Sequence, residues 1–237
     1  MQFDLNRLYD VIKQVSLDGY IDVVKLTPDE KTVNVDLMDK GRMVGIHAKY
    51  SREYLPLDKK VVISADSTMK VIRNLFKYNP IAEFTVTDTD IIISNSDTSY
   101  VVKMREDTVF DNIMKPKSFE FGQLPVFERT IIANYTVDAD ALASIKTDEN
   151  TMELVSNEKG LMIKFKYLEG ESSRIFYGEK ATEDFDVYFD ANLINKITSV
   201  LSGKISLVLM KGKAYQLMIG KPDKYSVIAY LLNQRVK

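Results

Sequence analysis

The stretch Val61-Val-Ile-Ser-Ala-Asp-Ser-Thr-Met-Lys-Val-Ile72 returns in altered form as Val187-Tyr-Phe-Asp-Ala-Asn-Leu-Ile-Asn-Lys-Ile-Thr198. At a constant offset of 126 residues Ala65 meets Ala191, Lys70 meets Lys196, Val71 meets Ile197 and, further on, Leu75 meets Leu201. Each copy reads as a short strand that runs through polar capping residues into an amphipathic helix. The first helix of the pair sets Ala65, Met69, Ile72 and Phe76 on one face. Its counterpart opens at Asp190, buries Leu193, Ile194, Ile197, Val200 and Leu201, and stops at Gly203. Strand-like runs follow each helix and close on a Tyr-led apolar strand, Tyr100-Val-Val and Tyr225-Ser-Val-Ile. A period this long describes duplicated domains rather than a solenoid, whose repeats span roughly 20–50 residues.

Outward from this pair, two more segments carry helical spacing. Leu5, Leu8, Ile12 and Val15 define a first helix, and Asp138–Lys146 a short one with Ala139, Leu142 and Ile145 inward and Asp138 as its cap. Elsewhere short runs rich in Val, Ile, Tyr and Phe alternate with polar residues, as in Ile163-Lys-Phe-Lys-Tyr167, which suits antiparallel sheets with one wetted face. The fold class is therefore α+β, many short strands with four helices laid on them. The seam is Met114-Lys-Pro-Lys-Ser-Phe-Glu-Phe-Gly-Gln-Leu-Pro125, which lacks any period and holds two of the six prolines. This places an N-terminal domain at 1–110, a linker at 111–129 and a C-terminal domain at 130–237.

Several chemistries are excluded by composition. With no cysteine there is no disulfide, thiolate metal site or thiol nucleophile, and the lone His47, expected half-buried in a strand, has no second imidazole to share a metal. Thr87–Asp90 reads as a hairpin turn, Asp184 and Asp186 as outward strand residues, and Gly203–Gly212 lacks phosphate-loop spacing. No enzyme activity, metal or cofactor is expected. No apolar run approaches the ~20 residues of a membrane helix. The start MQFDLNRLYD does not resemble a secretory leader, so an intracellular, cytoplasmic protein is expected.

Charge is distributed unevenly. The whole chain carries 32 bases against 34 acids. The four helical windows, counted inside their caps, hold eight bases and two acids, which leaves 24 bases and 32 acids elsewhere. Helices leaning basic in an acidic chain point to a local anionic partner rather than to bulk attraction.

In order, the parts resemble a DNA sliding clamp of the proliferating-cell-nuclear-antigen type. Leu37-Met-Asp39 followed by Arg42-Met-Val44 is similar to the family's SMDxxHV segment, and Lys70-Val-Ile-Arg73 to its basic KILK helix. Ser99-Tyr-Val-Val-Lys-Met104 resembles its DYEMKL strand, and Ile228–Val236 its YLLAPRV terminus, with Asn233-Gln234 in place of Ala-Pro. The resemblance covers the whole chain.

It implies a closed homo-oligomer, most often a trimer, with helices lining a hole and sheets outside. Sequence-independent contacts to double-stranded DNA would fall to Arg7, Lys13, Lys70, Arg73, Lys77, Lys146 and Lys196. Lys103, Arg105, Val109 and Phe110 would meet Arg174 and Phe176 of a neighbouring copy. Met38, Phe119, Phe121, Leu124, Val126, Tyr230 and Leu232 would form a pocket for peptides of DNA polymerase, clamp loader and other replication and repair proteins. Two rival readings are a non-encircling processivity factor of the same fold and an Asp-dependent metal hydrolase.

Overall fold

The computed structural model describes residues 2–76, 81–96, 98–106, 113–167 and 170–235. Its first ten elements are β1 (Gln2–Asp4), α1 (Leu5–Ser16), β2 (Val23–Pro28), β3 (Thr32–Met38), β4 (Val44–Ser51), β5 (Val61–Ser64), α2 (Ala65–Phe76), β6 (Ile81–Val86), β7 (Asp90–Ser94) and β8 (Ser99–Lys103). The next ten are β9 (Thr130–Asp138), α3 (Ala139–Ala143), β10 (Thr151–Asn157), β11 (Gly160–Tyr167), β12 (Gly170–Tyr177), β13 (Asp186–Asp190), α4 (Ala191–Val200), β14 (Lys204–Lys211), β15 (Tyr215–Pro222) and β16 (Ser226–Asn233). Both sets run strand, helix, four strands, helix, three strands. The α2 and α4 helices open at Ala65 and Ala191, the positions that the sequence offset equates.

All strand pairings are antiparallel, as the alternating runs require. Two four-stranded sheets have the orders β1-β6-β7-β8 and β12-β11-β10-β13, and one of eight strands has the order β5-β2-β3-β4-β16-β15-β14-β9. The long sheet joins the two sets through β4 and β16, from Tyr50 opposite Ser226 to Val44 opposite Leu232. One continuous core packs the helices on the inward faces of all three sheets. In the helix layer α1 lies against α2, α3 against α4, and α1 also meets α4.

Local chemistry explains the helix ends. Asp4 caps α1 by accepting from the Asn6 N–H at 2.9 Å, and Asp190 caps α4 by accepting from Leu193 N–H at 2.9 Å. After α1, Leu17 and Asp18 take left-handed conformations (φ 52° and 55°) before Gly19. That costs energy for non-glycine residues, and it is offset by full burial of Leu17 and a 2.8 Å bond from Asp18 N–H to the Lys13 carbonyl. The turn carries Tyr20 toward α4.

The short third helix ends earlier than its sequence spacing indicates, at Ala143. The Ser144 hydroxyl donates to the Ala141 carbonyl at 2.8 Å, and the Arg174 guanidinium occupies the same carbonyl at 2.8 Å, terminating the turn. Thr87–Asp90 is the β6–β7 hairpin turn that the sequence indicates, closed by Thr87 N–H on the Asp90 carbonyl at 2.9 Å. Among the described residues no helix is long and apolar enough to cross a membrane.

Candidate functional site

The helix layer gathers most of the expected cations. Arg7, Lys70, Arg73, Lys146 and Lys196 are exposed and Lys13 is half-buried; Lys77 lies outside the described residues. They are not equivalent. Lys70 lies 2.7 Å from the Asp66 carboxylate, one turn earlier on α2, an acid that the charge count inside the helix caps leaves out. Asp10 and Asp140 are also exposed on the layer. Burial raises the Asp10 carboxyl pKa, and Lys13 opposes that shift.

Three cations instead lie over tyrosine rings. The Arg7 guanidinium is 5.4 Å from the Tyr54 centroid, that of Arg73 is 5.3 Å from Tyr9, and the Lys196 ammonium is 5.6 Å from Tyr20. Arg73 also donates from Nε and Nη2 to the Tyr9 hydroxyl at 2.9 and 2.5 Å. Sequence spacing carries no sign of these pairs, because each joins two elements that are distant along the chain.

On the opposite face of the long sheet the linker lies as a strap. Its Phe127 packs with Val208, Met210, Met218, Ala229 and Leu231, flanked by Met114 and Leu124. Ser118 and Val126 form an antiparallel bridge within it. Glycine makes the close approach possible at two points. A side chain on Gly45 would meet Ile113 at 2.9 Å, and one on Gly220 would meet Leu124 at 2.4 Å.

Polar ties complete the attachment. His47 is wholly buried rather than half-buried, its Nδ1 2.6 Å from the Asp36 carboxylate and its ring 5.4 Å from that of Phe127 and 6.4 Å from that of Phe119. Lys115 of the strap reaches the other Asp36 oxygen at 2.5 Å, and Lys49 donates to the Phe119 carbonyl.

The pocket residues expected from sequence are divided by this arrangement. Met38, half-buried Phe119, Phe121 and Leu124, and exposed Val126 lie on or beside the strap. Tyr230 and Leu232 do not join them. Both are buried in the core on the helix side, and the Tyr230 hydroxyl donates to the Gln14 carbonyl of α1 at 3.1 Å. Side chains alternate along a strand, so the neighbours Ala229 and Leu231 are the ones that face the strap.

The Asp36 carboxyl is pushed up by burial, but bonds from His47 and Lys115 overcome this and hold its pKa below the ordinary value. A depressed folded pKa gives stability that is present above the unfolded value near ~4 and lost as pH falls through the folded one. Hydrogen-exchange protection factors across 113–127 are therefore expected to be equal at pH 7 and 5 and to fall below about pH 4. An Asp36→Asn chain should lose that acid step.

The two four-stranded sheets end at β1 and β8 and at β12 and β13. Val101 on β8 is 63% exposed and Tyr177 on β12 is 76% exposed. Lys103 and Arg105 are exposed at the end of β8, while Val109 and Phe110 lie outside the described residues. Arg174 and Phe176 turn to the helix side of β12, opposite buried Ile163 and Leu161. There Arg174 caps α3 and lies 5.6 Å over the Phe176 ring.

The edges occupy equivalent places. β4 ends the row β5-β2-β3-β4 as β12 ends β13-β10-β11-β12, and β16 ends β9-β14-β15-β16 as β8 ends β1-β6-β7-β8. β4 and β16 are joined within the chain, whereas among the described residues β12 and β8 are not.

Among the described residues no group of three or more His, Asp or Glu is placed to hold a metal ion. No family model and no curated protein matches the sequence. In three dimensions the chain is similar to the solved structure described as the C-terminal region of FEN-1 bound to A. fulgidus PCNA. The TM-score is 0.68 at 14% identity, over 100% of this chain and 98% of that one. This chain is built on the clamp-type α+β fold.

Proposed function

We propose that the protein is a DNA sliding clamp, two duplicated domains at 1–110 and 130–237 joined by a linker at 111–129, that closes into a ring of identical copies. The observation that carries this is the equivalence of edges. The β4–β16 junction inside the chain is a template for joining β12 of one copy to β8 of the next, which would repeat the same eight-stranded sheet around a closed path and pair both of those edges. Three copies, with six such junctions, are the expected number. The helix layer would then face the hole and the strap the outside.

Loose phosphate contacts from the helix cations hold duplex DNA without reading sequence. Encirclement rather than grip keeps the protein on DNA, so an overall charge near zero suffices. A polymerase tethered to the ring gains processivity through effective concentration. Supporting the tether is the apolar surface beside the strap, where Met38, Leu124 and Val126 would take the aromatic anchors of a short peptide from polymerase, clamp loader or repair proteins.

Topology supplies the test. Protein loaded on nicked circular DNA should remain bound through gel filtration, and linearising that DNA should release nearly all of it from the ends. Equal retention on circular and linear DNA would favour a non-encircling factor.

A further inference from the structure

We propose that Tyr9, Tyr20 and Tyr54 are positioning residues that hold Arg73, Lys196 and Arg7 toward the phosphates of encircled duplex; this rests on the reading of the helix layer as the DNA-facing surface. Each ring lies 5.3–5.6 Å from its cation. Each pair also bridges separate elements: α1 with α2 for Tyr9 and Arg73, the turn after α1 with α4 for Tyr20 and Lys196, and the segment after β4 with α1 for Tyr54 and Arg7.

Long cationic side chains lose rotamer freedom when they grip a phosphate, and a ring that already confines them lowers that cost. Arg73 spends two of its five N–H donors on the Tyr9 hydroxyl and keeps three for an outside acceptor. Arg7 is steadied further by the Glu53 carbonyl at 3.3 Å and Asp4 at 3.7 Å. Lys70, by contrast, is matched by Asp66. Arg7, Arg73 and Lys196 therefore form a pre-set group, Arg7 partly compensated by Asp4, and DNA binding is concentrated in that group.

The test measures binding of the assembled protein to a short fluorescent duplex across a salt series. Arg73→Ala should lower the steepness of the salt dependence by ~0.9 for each phosphate that the arginine neutralises in the parent. Tyr9→Ala should weaken binding about two- to five-fold and flatten the same slope, the size expected of an exposed cation–ring interaction. Tyr9→Phe, which keeps the ring, should fall between Tyr9→Ala and the parent. Adding Tyr9→Ala to Arg73→Ala should change nothing further, since the tyrosine acts through that arginine.

If Tyr9→Ala binds as the parent does, or weakens the Arg73→Ala chain by as much again, the positioning role is overturned while the DNA-facing surface stands. If Arg7→Ala, Arg73→Ala and Lys196→Ala all bind as the parent does, the DNA-facing reading itself fails.

Discussion

A Tyr230→Ala chain is expected to lose about 3–5 kcal/mol of stability, the cost of truncating a large aromatic side chain in a core that cannot collapse. Tyr230 is fully buried on β16, opposite Ile46 of β4, at the junction that makes one sheet of eight strands. Its hydroxyl reaches across to the Gln14 carbonyl on α1, so one side chain ties the sheet junction to the helix layer. Burial holds the phenol neutral well beyond its ordinary range. A Tyr230→Phe chain keeps the ring and should lose only about 0.5–1.5 kcal/mol with the hydrogen bond. Urea unfolding separates the two. An alanine variant within 1 kcal/mol of the parent (~1 being the mean for any substitution) would contradict the packing described.

The second large loss is expected at Asp190. One carboxylate oxygen caps α4 at Leu193, and the other pairs with Arg235, whose own N–H bonds to the Tyr188 carbonyl at 2.8 Å. The carboxylate is only 10% exposed. Asp190→Ala removes the cap and strands the guanidinium, for a combined loss of about 2–4 kcal/mol. Asp190→Asn keeps an oxygen for the cap and should lose about half as much, so equal destabilisation by the two would show that the cap contributes little. The tail from Asn233 to Arg235 is thereby fastened to β13 and α4, with Asn233 also donating to the Arg42 carbonyl at 2.7 Å.

The architecture was legible where one face of an element is polar. Leu5, Leu8, Ile12 and Val15 alternate with Arg7, Asp10 and Lys13 at helical spacing, and all four are buried. The offset that equates Ala65 with Ala191 locates two helix starts. Legibility fails where both faces are covered. Val227 to Leu232 are all buried, with no polar residue to set the phase, so the sequence cannot say whether Tyr230 or Leu231 faces the strap.

Contacts between distant segments were equally silent. Nothing near Arg7 announces Tyr54, and nothing near Asp36 announces Lys115 across 79 residues. The charge count inside the helix caps overstates the basic balance for a simpler reason. Asp66 serves at the opening of α2, and its carboxylate also reaches Lys70. The strap was recognisable as a segment without period, but its attachment depends on the glycine gaps at Gly45 and Gly220, which only the folded sheet brings beneath it.

The central claim is that the free edges of β8 and β12 close a ring. Mass in solution tests it most directly, by light scattering coupled to size-exclusion chromatography over a concentration series reaching well into the micromolar range. The account predicts a particle of three copies of the 27.1 kDa chain, falling to one copy when Val101 and Tyr177 on those two edges are both replaced by Asp. A parent chain that runs as a monomer at every concentration would contradict it.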